Sequence, residues 1–360
     1  MRRISFLFLF VSAPIFLFSQ ASIYQFRDLE VGNHIPSDLN NARTAVFIDV
    51  APTKTSFLME GDWKEFSAEV HSYLYKMGID VVMYINNNDF LSGNSSRNFY
   101  QNILTTRNIK NLIFVTKTRS EVELLCSPYD GKTSLIANNQ KVFRKNSPSL
   151  NRLMLDFGRE VKRTENAMQN FLIPSKPTFL DALAIVQNSN LKNYPGQIRR
   201  TKLAVEKFAT ISPMASASDE VKSKIDSYNF QVEAKNKELE ELLKDLPYEI
   251  EFVDYMSDED LLRRRYQFIL RNIHASGESI KAMLKYKDTP SDAGYVSVIP
   301  VMPDNTSIRT FSRKTLLHKF YIRQNIAKNV YVGEWDADET WQNALKNYIG
   351  NMIQFFNKGN

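Results

Sequence analysis

Short apolar runs alternate with amphipathic helical patterns in the first half of this chain, and this alternation restricts the possible folds more than any other feature. Residues 45–50, 79–85 and 112–115 are short and apolar, as buried strands are. Between them, residues 62–77 and 96–106 place apolar side chains at helical spacing. Strands that alternate with helices form parallel pairs, so the pattern predicts an α/β fold around one sheet.

A hairpin and a closing helix follow these alternating elements. Asp130-Gly131 lies between two strand-like runs, 122–129 and 133–137, and this dipeptide is the strongest short hairpin signal. A further helix begins near Pro148. Because a hairpin adds antiparallel strands to the sheet, the predicted class is α/β with some α+β character.

The same order of strand, helix, strand, hairpin and helix recurs in the last third of the chain. These elements are predicted as a strand at 248–254, a helix at 257–273, a strand at 295–301, a hairpin from 316–324 and 329–333, and a helix through 341–353. The predicted organisation is a signal peptide at 1–21, a lead-in segment at 22–43, an α/β module at 44–171, a helical region at 172–246 and a second α/β module at 247–360.

A seam with the 3.5-residue period of a coiled coil runs through the predicted helical region. It consists of Val221, Ile225, Tyr228, Val232, Lys235, Leu239, Leu242 and Leu246. In one interpretation this helix packs against a neighbouring helix at 197–209. In the other it is a projecting arm, and the seven apolar seam residues bind a protein partner.

The first 21 residues have the layout of a secretory signal peptide. Arg2-Arg3 precedes an apolar run from Ile4 to Phe18. A short stretch that ends at Ala21 follows and has the small residues of a cleavage site. The run is shorter than the roughly 20 residues of a bilayer-spanning helix. Since no cysteine lies near the cleavage site, we expect an exported, non-lipidated protein in the periplasm or outside the cell, without a transmembrane span after cleavage.

Charge and cysteine usage exclude several function classes. The chain has 46 basic and 40 acidic residues, and its basic runs are short and dispersed. Nucleic-acid binding normally needs a clustered basic face, so it is not expected. Cys126 is the only cysteine, which makes an intramolecular disulfide impossible and leaves a Cys/His catalytic pair without local support. The sequence predicts neither a cofactor nor a metal site.

Two short motifs resemble ligand sites but favour structural roles. Gly131-Lys132-Thr133 matches part of a phosphate-binding loop, yet Cys126 stands where that loop needs a glycine. The acidic run 336–339 resembles a calcium site but lacks the central glycine and later glutamate of an EF-hand. The spacing of its first and last acids favours a capping box for the closing helix.

Asp49 is the weak candidate for a catalytic residue. It lies near the carboxyl end of the first predicted strand, where open α/β sheets bind their ligands. A single acid at this position more often organises a loop than catalyses a reaction. Asp89 follows the second strand and is expected near the same sheet, whereas Asp80 begins that strand and points to the opposite end.

The first module resembles a class of bacterial envelope domains. The similarity lies in Thr44-Ala45-Val46-Phe47-Ile48-Asp49, in the amphipathic helix from Asp62, in Asn111-Leu112-Ile113-Phe114-Val115 and in the hairpin from Leu124 to Thr133. In these features it is similar to the amino-terminal domain of the Tol-Pal β-propeller protein and to curli-secretion-type lipoprotein domains. The resemblance is one of topology over about 120 residues, and the lipobox and propeller of those families are absent. The Phe-rich signal also resembles those of Bacteroidota.

The sequence therefore favours a non-catalytic envelope protein that binds another envelope protein. Two alternatives stay open. One is a periplasmic module that binds a small ligand or glycan, and the other is a hydrolase with an acidic cleft at Asp49.

Overall fold

Two separate modules, each built around one mixed sheet, appear in a computed structural model of the protein, and the predicted α/β class is confirmed. The structure describes residues 23–54, 56–132, 134–164, 172–289, 291–301 and 305–358. The predicted signal peptide at 1–21 lies outside the described residues.

The helices of the described chain are α1 (Trp63–Lys76), α2 (Asn87–Leu91), α3 (Asn94–Thr106), α4 (Leu150–Arg163), α5 (Asp219–Leu243), α6 (Asp258–Arg263), α7 (Gly277–Met283) and α8 (Trp341–Lys358). Its strands are β1 (Leu29–Gly32), β2 (Thr44–Val50), β3 (Thr53–Lys54), β4 (Leu58–Met59), β5 (Val81–Asn86), β6 (Asn111–Lys117), β7 (Val122–Pro128), β8 (Gln140–Ser147), β9 (Phe179–Leu180), β10 (Asn190–Leu191), β11 (Leu203–Glu206), β12 (Ile250–Val253), β13 (Phe268–Ser276), β14 (Gly294–Val301), β15 (Asn305–Ser312), β16 (Leu316–Gln324) and β17 (Val330–Tyr331).

The two sheets share one topology. The first sheet has the strand order β1-β8-β7-β6-β2-β5-β9, and the second has the order β10-β17-β16-β13-β11-β12. When the sheets are aligned from β1 and β10, the five neighbour pairs that they share have the same parallel or antiparallel orientation, and β9 has no counterpart among the described strands of the second sheet. We call the elements from β1 to β9 the first module and those from β10 to α8 the second module.

The predicted helical region at 172–246 is helical only in part. Strand β9 extends the first sheet, and β10 and β11 belong to the second sheet. The predicted neighbouring helix at 197–209 is therefore wrong, because residues 203–205 pair with strands on both sides. Helix α5 connects β11 to β12, as α1 connects β2 to β5. It is thus the crossover helix of the second module, which begins well before residue 247.

Other boundaries differ because tertiary burial overrides the local pattern. The predicted helix at 257–273 ends as α6 at Arg263, and β13 follows. Arg265 has a φ of 65°, which breaks the helical path, and the apolar run after it is buried on both faces of the sheet. The hairpin near residue 130 exists, but β8 begins at Gln140. Leu135 and Ile136 are buried in the connecting loop instead of a strand.

Three layers form in each module, because helices cover both faces of each sheet. Helices α1 and α4 cover one face of the first sheet, and α2 and α3 cover the other. Helices α5 and α8 cover one face of the second sheet, while α6, α7 and the hairpin β14–β15 cover the other.

The first turns of α1 and α6 are capped by the side chains that the sequence predicted. Asp62 accepts from the N–H of Glu65 at 3.1 Å, and Ser257 accepts from that of Asp260 at 3.1 Å.

An insertion between the third and fourth strands distinguishes the second module. A turn at 118–121 connects β6 to β7, whereas α7 and the hairpin β14–β15 lie between β13 and β16. This insertion contacts the first module. The N–H of Glu60 donates to the carbonyl of Lys314 at 2.8 Å, and the rings of Phe57 and Phe311 meet edge to face. The repeated topology thus carries one added element, and that element lies between the modules.

The closing helices α4 and α8 offer a matched test of this packing. We expect Gly350→Ala in α8 to destabilise the protein by about 1–3 kcal/mol, because the new Cβ would lie 2.5 Å from Cγ of Pro300. In α4, a Cβ on Gly158 would lie 3.1 Å from the flexible end of Met77. There the helix propensity of alanine, worth up to about 1 kcal/mol, should leave stability unchanged or raised. Urea denaturation of both variants measures the difference, and equal stabilisation would contradict the packing described.

Candidate functional site

Helix α3 of the first module lies against the sheet of the second module. The corresponding helix of the second module, α6, has 6 residues against 13 in α3, so part of that sheet face is left for the first module to cover. Phe99 packs into the core beneath α7, and Asn94 donates to Glu206 at 2.8 Å. The space between the modules is therefore closed by residues of both.

Two buried arginines stand on this face of the second sheet. Arg271 on β13 and Arg323 on β16 are each 4% exposed. The Nε of Arg271 donates to Glu206 at 2.7 Å, and its Nη1 donates to Ser95 of the first module at 3.2 Å. Because burying an unpaired charge is costly, these partners hold Arg271 in place. They also tie the second sheet to α3.

A cavity of about 190 Å³ lies beside the arginines, and we call it the inter-module cavity. On the side of the first module, the wall is formed by four residues of α3, namely Ser95, Asn98, Phe99 and Asn102. The opposite wall consists of both arginines, Gln187, which precedes β10, and Tyr255, Ser257, Asp258 and Glu259. Its volume is below the roughly 300–1,000 Å³ of drug-sized ligand pockets, so it suits one small molecule.

The polar groups of the cavity carry balanced charge. Arg323 donates through Nη2 to Asp258 at 2.6 Å and to Gln187 at 2.9 Å. Its Nε is buried and has no hydrogen-bond partner in the described chain. The lining contains two arginines against Asp258 and Glu259. A ligand with both donor and acceptor groups fits such a lining better than a simple anion.

Asp49 lies at the carboxyl edge of the first sheet, as predicted, and is half-buried. The Nδ2 of Asn87 donates to its Oδ2 at 3.3 Å, and burial raises the pKa of this carboxyl. Asp89 lies at the same edge on α2, whereas Asp80 precedes β5 at the other end. The contact with Asn87 is that of a loop-organising acid and gives no support to a catalytic role.

The amino-terminal half of the seam is covered by other parts of the chain. Val221 and Ile225 are buried in a small cluster that includes Phe26 and Ile211. The ring of Tyr228 lies 5.2 Å from that of Phe26. The side chain of Asn229 both accepts from the N–H of Ile211 and donates to its carbonyl, at 2.8 Å each. The seam thus packs against an extended segment of its own chain.

The carboxyl-terminal half of the seam joins the core of the second sheet. Val232 and Leu239 are buried, and Leu242 and Leu246 are half-buried against that core. Lys235, the polar seam position, is exposed. This packing leaves no free apolar stripe on the seam side of α5. The structure therefore gives no support to a projecting arm or to partner binding through the seven apolar seam residues.

The acidic run 336–339 does not form the predicted capping box. Asp336 is fully buried and accepts a 2.6 Å hydrogen bond from Nζ of Lys319, which is also fully buried. Thr340 takes the capping position instead, since its Oγ1 accepts from the N–H of Asn343 at 3.3 Å. Burial raises the pKa of Asp336 to about 6 and lowers that of Lys319, while each partner acts in the opposite sense.

The remaining sequence motifs have structural positions. Asp130 accepts from the N–H of Lys132 at 3.0 Å, and Gly131 has a φ of 82°, so this string forms a turn. Thr133 lies outside the described residues. Cys126 is fully buried on β7, and burial raises the pKa of its thiol. A buried thiol of raised pKa is inert, in agreement with the structural interpretation of this cysteine.

Sequence reasoning missed both cavity arginines. Each ends a similar apolar run, Phe268-Ile269-Leu270-Arg271 and Phe320-Tyr321-Ile322-Arg323. A charged residue inside such a strand is a signal for a buried ion pair or a site, because charged side chains are almost never fully buried without partners. That signal was hidden for β13, which the periodicity assigned to a helix.

Comparison with protein-family models, curated proteins and solved structures finds no match to this chain. Among the described residues, no helix combines the length and apolar character needed to cross a membrane. The same part of the chain holds no group of three or more His, Cys, Asp or Glu side chains placed to bind a metal ion.

The pair between Asp336 and Lys319 yields a stability prediction. We expect Asp336→Asn to cost about 3–5 kcal/mol, because it leaves the Lys319 ammonium buried without its counter-charge. Glu334→Gln is the control, since Glu334 is exposed two residues away. Urea denaturation at pH 8 should show a large loss for the first variant and almost none for the second. A loss below 1 kcal/mol for Asp336→Asn would show that Lys319 sheds its charge or finds another partner.

Proposed function

We propose that this chain is an exported, non-catalytic binding protein of the cell envelope that holds one small polar ligand between its modules. The observation that carries the proposal is the inter-module cavity with its two buried arginines. Residues of both modules line it, and sites for small molecules occur preferentially at domain interfaces. Export is supported by the amino-terminal sequence pattern.

The lining supports a ligand of the size and chemistry of a monosaccharide or an amino acid. Asn98, Asn102 and Gln187 supply amide groups, and Phe99 supplies an apolar surface. All three nitrogens of the Arg271 guanidinium are bonded, to Glu206, Ser95 and the carbonyl of Met256. Arg271 thus orients the walls, whereas Arg323 is bonded through Nη2 alone in the described chain and is the arginine with donor capacity left on the cavity side.

Binding of a protein partner is the second candidate function, because one surface of the second module exposes apolar side chains. On the hairpin β14–β15, Val296 and Ile308 are 49% and 69% exposed. Ile308 lies opposite Val298 in the antiparallel register. Loss of a crosslink to an envelope protein in an Ile308→Asp variant with unchanged ligand binding would favour this candidate. The hydrolase alternative rests on Asp49, for which the structure shows only a loop-organising contact.

Ligand binding is tested with matched asparagine variants. Asn98 lines the cavity and donates to the hydroxyl of Tyr255. Asn151 on α4 is also exposed, and it accepts from the hydroxyl of Tyr73 far from the cavity. In a thermal-shift screen of cell-wall fragments, monosaccharides and amino acids, a ligand at 100 times its Kd should stabilise the protein by about 2.7 kcal/mol.

We expect Asn98→Ala to weaken binding of such a ligand about five- to tenfold, the effect of losing one hydrogen bond. Asn151→Ala should leave the Kd unchanged, and calorimetric titration measures both values. Equal weakening in the two variants would place the site elsewhere. The absence of a shift with every compound of the screen would contradict small-ligand binding.

A further inference from the structure

Two carboxyl groups of the first module are buried where it meets the second. Glu60, which follows β4, is 6% exposed, and Asp89 on α2 is 2% exposed. The side-chain amide of Asn86 donates to Glu60 at 2.7 Å, and that of Asn88 donates to the same oxygen at 3.3 Å. Oδ1 of Asp89 has no hydrogen-bond partner in the described chain.

The second module closes this site with the amino end of α7. Ser276 lies near Glu60 and Ser279 lies near Asp89, and the Ser276 hydroxyl donates to that of Ser279 at 3.0 Å. Glu278 is the third carboxylate near them and adds negative charge. We call these five residues the acid junction.

Nearby cations are paired with acids other than Glu60 and Asp89. Arg313 contacts Glu278 at 3.5 Å and Asp288 at 2.7 Å, and Lys314 contacts Asp62 at 3.3 Å. On the outer side, Lys64 pairs with the exposed Asp181, which also acts on Asp89. In the described part of the chain, no lysine or arginine forms an ion pair with Glu60 or Asp89.

Two further titratable groups near Glu60 and Asp89 belong to the first module. Tyr100 on α3 is a buried phenol close to Asp89, and Asp49 lies at the same sheet edge, where Asn87 donates to it. Neither brings a positive charge to the junction. Docking therefore buries two acids that lie close to one another and to Glu278, with neutral donors as their only hydrogen-bond partners in the described chain.

We propose that docking of the two modules takes up protons at Glu60 and Asp89, so that the acid junction loosens as the pH rises. A protonated carboxyl keeps its polar contacts with the neighbouring asparagines and serines without the cost of a buried, unpaired charge. When the modules separate, water solvates both groups and they ionise. The junction is thus a pH-sensitive contact within the fold, and it does not depend on a bound ligand.

Burial is the main cause that raises the pKa of both groups, and like charge adds to it. A group with a raised pKa stabilises the docked state at low pH and loses that effect as the pH rises through its docked pKa. Since free Asp and Glu titrate near pH 4, the loss begins above about pH 4 and continues until both groups have ionised. Each released proton changes the docking equilibrium by up to about tenfold per pH unit.

A buried histidine pair contributes stability with the opposite pH dependence, and this limits the pH range in which the acid junction can be measured alone. The rings of His274 and His318 stack 4.0 Å apart in the second module, and Lys235 acts on both from α5. Burial lowers the pKa of His274 to about 4 and that of His318 well below its usual value. Their contribution to stability is complete above about pH 6.5 and is lost as the pH falls. Measurements above pH 6.5 therefore isolate the acid junction.

Hydrogen exchange followed by mass spectrometry tests the proposal on the full mature chain without ligand. Peptides covering α2 and β13 report the junction, where the N–H of His274 donates to the carbonyl of Ser92 at 2.9 Å. After correction for the chemical exchange rate, we expect their exchange in the wild type to accelerate, relative to a Glu60→Gln, Asp89→Asn double variant, as the pH rises from 5 to 8.5. The acceleration should reach at most about tenfold per unit for each proton released. Peptides of β6, in the centre of the first sheet, should not change.

The double variant Glu60→Gln, Asp89→Asn should remove this pH dependence, because neither replacement titrates. Asp49→Asn is the matched control, since Asp49 is bonded within the first module, and it should keep the wild-type profile. Junction exchange that is independent of pH in the wild type, or equally dependent in the double variant, overturns the proposal. If the double variant does not fold, the same comparison uses Asp89→Asn. Failure of every ligand in the thermal screen leaves these outcomes unaffected.

Discussion

The docking of the α2–α3 corner on β13 is the contact on which the rest of the structure depends. The chain passes β13 so closely that a Cβ on Gly93 would lie 3.2 Å from the carbonyl of Asn272. This approach permits the backbone bond from His274 to Ser92. It also brings Ser95 to Arg271. Without this contact, one wall of the cavity would be missing and the buried arginines would face solvent.

The two modules share one strand topology, but the acid at the end of the corresponding strand makes different contacts in each. In the first module, the acid at the end of the first parallel strand is Asp49, which a neighbouring asparagine holds. At the comparable place in the second module, Glu206 accepts from Arg271 and from Asn94 of the other module. The carboxyl edges of such sheets are where ligands bind in open α/β folds. Here the edge of the second module is used for docking, and the cavity lies beside it.

The inner strands and the longer helices of the first module could be predicted from the sequence, whereas its outer strands β1, β8 and β9 and the second module could be predicted only in outline or not at all. Apolar runs such as 45–50 are short and flanked by helices with clear caps, so their period identifies them. The run at 268–276 carries apolar side chains on both faces, and this pattern is equally compatible with a buried helix. Strand β11 was missed because four residues give too short a pattern beside the long period of α5.

The candidate site could not be predicted, because its parts are remote in sequence. Ser95 and Arg271 are 176 positions apart, and only the docking of the modules joins them. Glu60 and Asp89 each look like ordinary loop acids until α7 covers them. Burial decides the chemistry of both sites, and burial by another module leaves no periodic signal in the sequence.

The cavity and the acid junction share the α2–α3 corner, and this has a thermodynamic consequence. Asp89 lies at the start of the corner and Ser95 a few residues later, so both belong to one packed unit. A ligand that contacts both walls stabilises the docked state, and protons at Glu60 and Asp89 stabilise the same state. By thermodynamic linkage, ligand binding then raises the proton affinity of Glu60 and Asp89, and protonation raises the ligand affinity by the same factor. Under the two proposals, the ligand would be bound more tightly in mildly acidic surroundings and released as the pH rises, to the extent that the undocked state is populated.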